Sequence, residues 1–234
     1  MKIALLRVGI DTGCGGIHGP LFQDGRFEYV PIPSESAKDG RTYGNVRGRY
    51  GGSLVEYFSE HKQARMKDSH IHFDPEFETF TYGDPTRPKA GLRHLQKGDF
   101  LVFYAGLQGF DFARAPALYL IGYFIVKTAG LAKDFSRDAI RRLFRRNYHI
   151  ITKDRRPGLV LVKGAKGSRL LEKALCISEE GADRNGKPLK VLSRKMRRTF
   201  GDFAGKVGIQ RSPPRWIREE PWLTKTVTFL ERLV

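Results

Sequence analysis

Asp99-Phe100-Leu101-Val102-Phe103-Tyr104 and Leu118-Tyr119-Leu120-Ile121-Gly122-Tyr123-Phe124-Ile125-Val126 decide the fold class. Both are apolar, the second long and rich in aromatic and β-branched residues, and the first is bounded by turn formers, Lys97-Gly98 before it and Ala105-Gly106 after it. Such runs read as buried strands, and two of them, joined by a loop that carries Gly109, Phe110, Asp111 and Phe112, imply a sheet core.

Working towards the N-terminus, residues 2–10 read as another strand. Residues 11–20 follow as a loop, because Gly13, Gly15, Gly16 and Gly19 permit backbone conformations closed to other residues. Asp24-Gly25 between Leu21-Phe22 and the apolar run 27–32 signals a hairpin turn. Residues 34–52 are polar and carry Arg41, Arg47 and Arg49 among Tyr43 and Tyr50, the pattern of a long surface loop. Ser53 with Glu56 three residues later predicts a capped short helix over 53–61.

Towards the C-terminus the period becomes helical. Ile140, Leu143 and Phe144 share one side of a helix beginning after Ser136, with Arg141, Arg142, Arg145 and Arg146 opposite. Residues 159–162 read as a strand, 163–167 as a turn, and Ser168 as the N-cap of a helix through Leu170, Leu171, Ala174 and Leu175. A basic helix over 193–200 closes at Gly201. With no repeat and no linker, the expectation is one α+β domain spanning residues 1–234.

Of 234 residues 40% are hydrophobic, enough for a sizeable core. No apolar run approaches the roughly 18 to 20 residues that cross a bilayer, and the N-terminus lacks a signal-peptide pattern, so a cytoplasmic protein without membrane contact is expected. Cys14 and Cys176 are too few and too far apart for a disulfide framework or a zinc site. The net charge is +17, and it is unevenly placed. Residues 1–117 hold 15 basic and 14 acidic side chains, residues 118–234 hold 27 and 11. A surplus of that kind points to a polyanionic partner, nucleic acid first.

The segments 97–104 and 120–126 together resemble the core of PUA-like barrels, especially the EVE, YTH and ASCH branches, a resemblance that implies a mixed β-barrel or strongly curved sheet and the reading of modified bases. A wider set resembles the third nucleotide-modification-associated domain family: Arg7-Val8-Gly9-Ile10-Asp11-Thr12-Gly13, Gly19-Pro20-Leu21-Phe22, Asp24-Gly25, Pro31-Ile32-Pro33, Thr81-Tyr82-Gly83-Asp84, Phe103-Tyr104-Ala105-Gly106-Leu107 and Ser168-Arg169-Leu170-Leu171. It spans nearly the whole chain and implies work beside systems that make or handle modified nucleotides, with nucleotide-modification enzymes as further partners.

Three sets of residues carry candidate chemistry. The glycine loop with Arg7, Asp11, Thr12, Gly13 and His18 would let a nucleotide approach the backbone, or it is a structural turn. Cys14 and His18 form a weaker nucleophile and base pair. Around a barrel mouth, Tyr82, Phe103, Tyr104, Phe110 and Phe112 would stack a base that Ala105, Gly106 and Leu107 identify through their backbone, with core packing as the alternative and Tyr104 preferred over Phe103. Lys163, Lys166, Ser168 and Arg169, at a helix N-terminus, join Arg141, Arg142, Arg145 and Arg146 as phosphate contacts. His70, His72, Asp74, Glu76 and Glu78 alternate along a possible strand, a metal or acid/base row or the solvent face of an edge strand. No cofactor motif is present, and no metal is assigned. The expected function is a nucleic-acid-binding protein, for DNA rather than RNA, that recognises a modified or flipped-out nucleotide. The alternatives are an enzyme on a nucleotide or base (a transferase or glycosidic-bond hydrolase using Asp11, His18 or the 74–78 carboxylates) and a subunit whose basic face meets an acidic protein.

Overall fold

The computed structural model describes residues 1–183, 185–210 and 213–233. Twelve strands appear among them. β1 (Ile3–Arg7), β2 (Gly19–Leu21), β3 (Ile32–Pro33), β4 (Ile71–His72) and β5 (Thr81–Asp84) precede the long pair β6 (Phe100–Gly109) and β7 (Ala117–Leu131). β8 (Val160–Gly164), β9 (Arg169–Cys176), β10 (Ser178–Ala182), β11 (Pro188–Leu192) and β12 (Arg215–Ile217) follow. Five α-helices intervene: α1 (Glu60–Met66), α2 (Arg137–Phe144), α3 (Tyr148–Ile151), α4 (Arg194–Phe200) and α5 (Trp222–Glu231).

The main sheet runs β12-β1-β6-β7-β8-β5, with β2 branching from β6 and β9 from β7. β1 and β2 lie parallel to β6, while β7 is antiparallel to β6, β8 and β9. The fold is therefore α+β around a large mixed sheet. Among the described residues the ladder ends at β12 and β5 without closing into a barrel. β6 is buried over its first eight residues, which explains why its sequence is continuously apolar instead of alternating. β7 serves two sheet neighbours in its first half and another in its second, and register shifts opposite Phe103/Tyr104 and after Val126 let it bend between them.

One hydrophobic cluster centres on β1, β6 and β7 and reaches Phe200, Leu223 and Leu230 of the packed helices α4 and α5. A second, around Tyr43, Leu54, Phe58 and Ile71, fills the space under the 34–70 excursion. The third puts Phe144 against Leu159 and Leu161, docking α2 on β8.

Several elements follow the sequence pattern. Ser136 caps α2 by accepting from the Ala139 N–H at 3.1 Å. Gly201, at φ +78°, ends α4. Two expectations are corrected. The helix after Ser168 is the strand β9, because Leu170 and Leu175 find partners on β7 opposite Gly122 and Leu120, and sheet pairing overrides a helix-like apolar spacing. The helix expected over 53–61 is two pieces, a 3-10 turn Leu54–Tyr57 held by the Ser53/Glu56 capping box and then α1. No helix among the described residues is long and apolar enough to cross a membrane.

Candidate functional site

Where β1 ends, Gly9 takes φ +80° and turns the chain away from the sheet, a backbone conformation glycine adopts without strain. The loop beyond is organised by Asp11. One carboxylate oxygen accepts from the backbone N–H groups of Gly13 and Cys14, each at 2.8 Å, and the other pairs with Arg7 Nη2 at 3.1 Å. Arg7 also donates to the Gln210 carbonyl. These side chains form one wall of an open cavity of about 290 Å³ whose other walls are Ile32, His72, Asp74, Tyr82, Gly83, Asp84 and Lys89.

The deep wall is built by segments far apart in sequence. β4 ends on His72, and the turn after it buries Asp74. β5 brings Tyr82, Gly83 and Asp84, and a 3-10 stretch, Arg87–His94, brings Lys89. Behind them lies α3, capped by Asn147, whose side chain accepts from the His149 N–H at 3.1 Å. Gly83 allows α3 to come this close, since a Cβ there would lie 2.7 Å from His149 Cδ2. The Nε2 atoms of His72 and His149 stand 3.2 Å apart, and His149 Nε2 is 3.6 Å from Asp74 Oδ2. On its far side His149 Nδ1 meets Asp154 at 2.8 Å, and Arg156 pairs with the same carboxylate at 2.5 Å.

Electrostatics divide this cluster. Burial pushes His72 down to about 3, helped by His149, and lowers His149 against the pull of Asp154, so both imidazoles are neutral at pH 7. Burial works to raise Asp154, but hydrogen bonds from Arg156 and His149 outweigh it and hold the acid well below the usual range. An ionised Asp154 can only accept, so the His149 proton sits on Nδ1 and a lone pair on Nε2 points at His72. Burial raises Asp74 well above the ordinary carboxyl value, with Asp84 and Glu76 adding to it and the Gly83 and Asn147 donors opposing. Asp74 Oδ2 accepts from Gly83 N at 2.8 Å and Asn147 Nδ2 at 3.3 Å, whereas Oδ1 is buried without a partner. Asp84 is lowered, because Lys89 at 2.7 Å and Thr86 overcome the effect of burial.

Of the residues singled out in the sequence, Arg7, Asp11 and Tyr82 meet at this cavity. Thr12 and Gly13 are exposed on the loop above it. His18 is half-buried, and that burial lowers its pKa against an opposing pull from Gln108. Burial and Asp11 raise the Cys14 thiol, the opposite of what an activated nucleophile needs. Ala105, Gly106 and Leu107 spend their backbone on β7, opposite Tyr119, Leu118 and Ala117. Tyr104 is 2% exposed and its hydroxyl donates to the Ile209 carbonyl at 2.8 Å, and Phe103 is fully buried, so both are core side chains. Phe110 is different. It is half exposed and packs edge-on with Phe22 and Tyr57, beside a Tyr50 ring that carries Arg26 and Arg49.

The row from His70 to Glu78 is a strand only over β4, Ile71–His72, and of its residues only Glu78 is exposed. His72 and Asp74 enter the cavity, buried Glu76 accepts from the Thr79 N–H at 2.9 Å, and exposed Glu78 pairs with Arg146. Arg141, Arg142, Arg145 and Arg146 are all exposed, with Arg141 also bridged to Asp138 at 2.5 Å. Because β9 replaces the expected helix, there is no helix N-terminus at Ser168. Its hydroxyl instead accepts from Ile125 N at 3.0 Å, Lys163 donates to the Thr79 carbonyl, Lys166 is exposed and Arg169 lies over the Tyr123 ring. Ser168 and Arg169 also border a second cavity, of about 470 Å³, shared with Arg49, Phe73, Phe77 and Phe80.

Sequence reasoning missed His149, Asp154 and Lys89. His149 lies 77 residues from His72, and only the pairing of β5 with β8 and the docking of α3 bring them together, so no local spacing carried the signal. Chemically, the cluster offers neutral imidazoles, one backed by an ionised carboxylate, next to a carboxyl whose proton affinity burial raises. Pairs of groups pushed apart in this way suit proton transfer, and an open cavity bordered by Arg7 and Lys89 suits an anionic ligand. No curated protein and no solved structure is matched by this chain. Residues 2–229 match the model of one family, nucleotide modification associated domain 3.

Proposed function

Since the chain belongs to the nucleotide modification associated domain 3 family, we propose that it holds nucleic acid on its basic exterior and acts on a single nucleotide, turned out of its stack, in the cavity beneath the Asp11 loop. The observation that carries this reading is the meeting of Arg7 and Lys89 with the buried His72–Asp74–His149 cluster at one opening. A protein that only gripped a phosphate backbone would have no use for buried acid and base groups with shifted proton affinities, which cost stability to maintain. DNA is the polymer this reading prefers, and nucleotide-modification enzymes are its natural neighbours. The large mixed sheet would serve as a PUA-like scaffold, with the cavity beside its central strands.

A recognition role without chemistry is favoured by one feature, the larger cavity lined by Phe73, Phe77 and Phe80 with Arg49 and Arg169, where a base could stack and its phosphate be neutralised. The two readings part on turnover. Full-length protein is incubated with DNA and RNA oligonucleotides carrying ordinary and modified bases, binding is followed by fluorescence anisotropy, and the nucleosides are analysed by mass spectrometry after digestion. Acting on a nucleotide predicts a nucleoside of altered mass whose yield falls at least tenfold in Lys89→Ala while oligonucleotide binding persists. Binding with no altered nucleoside leaves recognition alone, and no binding at low salt refutes both.

A further inference from the structure

The deep wall of the cavity has the composition and spacing of a metal site. We infer that His72, Asp74 and His149 bind one first-row divalent metal ion, of the zinc or ferrous type, whose remaining coordination positions open towards Arg7 and Lys89. The donor set is two imidazole nitrogens and one carboxylate, the combination that suits zinc and non-haem iron and leaves positions for water or substrate. At metal–nitrogen distances of 2.0–2.1 Å, two tetrahedral ligands stand about 3.3 Å apart. The two Nε2 atoms are separated by 3.2 Å.

Three further features separate a metal site from a chance cluster. First, His149 is already oriented as metal-bound histidines are. Its Nδ1–H donates to Asp154 at 2.8 Å, Asp154 is anchored by Arg156, and Nε2 is left facing His72 Nε2 at 3.2 Å and Asp74 Oδ2 at 3.6 Å. His72 is steadied by the Tyr148 ring, with centroids 4.0 Å apart. Second, Asp74 has a side chain only 1% exposed and one oxygen without a partner, although it lines an open cavity. A buried carboxylate oxygen of this kind calls for a cation, and the nearby lysine, Lys89, is taken by Asp84. Third, a hydrogen bond between the two imidazoles would account for their separation alone, but it would leave Asp74 Oδ1 unsatisfied. An ion held by the two imidazoles and one Asp74 oxygen would engage all three side chains and neutralise the buried carboxylate.

What the ion would do for a bound nucleotide, polarising a phosphate or base oxygen or lowering the pKa of a water, rests on the preceding proposal, whereas its binding does not. The test therefore uses metal alone. Full-length protein is stripped with chelator and titrated with Co²⁺, following the visible absorption of the bound ion, with Zn²⁺ as competitor. One equivalent should bind, and Zn²⁺ should displace it. Asp154→Asn should weaken binding about 10- to 100-fold by releasing the His149 ring, and His72→Ala should weaken it more. Should either variant fail to fold, Cu²⁺-loaded wild type examined by electron spin-echo spectroscopy should show two coordinated imidazoles. Folded wild type that takes up no stoichiometric metal, uptake unchanged in folded His72→Ala, or fewer than two imidazoles would each overturn the assignment. Nucleotide turnover enters none of these readouts, so this site and the nucleotide reading fail separately.

Discussion

Replacing Glu28 by Gln should remove a specific pH dependence from the stability of the protein. Glu28 is 3% exposed, and its carboxylate accepts from the backbone N–H groups of Arg49 at 2.5 Å and Tyr29 at 3.1 Å. The Arg49 guanidinium goes elsewhere, to the Leu171 carbonyl at 2.8 Å. Burial therefore prevails over the two donors and the more distant charge of Arg49, and the carboxyl is pushed up from 4.5 to about 7. Between those values the unfolded chain has lost this proton while the folded chain keeps it. Folded protein thus binds more protons, and stability from this group is present below pH 4.5 and lost as pH rises through 7. A displacement of that size corresponds to about 3 kcal/mol, an upper figure because some water reaches the site. Other groups titrate in the same range, so the quantity to measure is the difference between wild type and Glu28→Gln, from urea denaturation at half-unit steps between pH 4.5 and 8. Wild type should lose stability relative to the variant by up to about 3 kcal/mol, most steeply between pH 5 and 7. A difference that stays flat within about 0.5 kcal/mol would refute the reasoning.

Three more outcomes follow from packing and charge. Gly83→Ala places a methyl 2.7 Å from His149 Cδ2, and should cost about 1–3 kcal/mol in denaturant unfolding while shifting the His149 imidazole resonances in NMR spectra. Phe144→Ala, which empties the fully buried contact between α2 and β8, should cost about 3–5 kcal/mol and lower Tm accordingly. Reversing exposed Arg141, Arg142, Arg145 and Arg146 to Glu should abolish nucleic-acid binding at moderate salt. Milder single Arg→Ala changes should each reduce the log-log salt slope by about 0.9 on duplex DNA, as measured by anisotropy titrations.

The long strands were legible because burial on both faces leaves continuous apolar runs, and α2 was legible because an apolar stripe, an N-cap and an arginine face all agree. The stretch after Ser168 misled because Leu170, Leu171, Ala174 and Leu175 fit a helix locally, while the deciding interaction is a ladder to β7, some fifty residues earlier. The site was half readable. Arg7 and Asp11 are neighbours in sequence and remain neighbours in space, and His72 and Asp74 stood out as adjacent polar groups. His149 and Asp154 sit on a single helical turn and the residues after it, with no motif around them, and acquire meaning only when β5 and β8 pair. Tyr104 was misplaced for a simpler reason. Alternation along a strand separates two faces, but here both faces are covered.

β7 carries a last consequence. It spans 15 residues and is hydrogen-bonded to β6 and β9 in its first half and to β8 in its second. β8 in turn holds β5, which forms the cavity floor, while β6 holds β1, which leads into the Asp11 loop. The two rims of the opening are therefore tethered to the two halves of one rod, and they are also bridged across it, by the Ile10 N–H donating to the Val30 carbonyl at 2.9 Å and by the pairing of β3 with β4. A change in the bend of that rod would have to carry this β3–β4 rung with it, so the width of the mouth is fixed twice over, once by the sheet behind it and once by the rung across it.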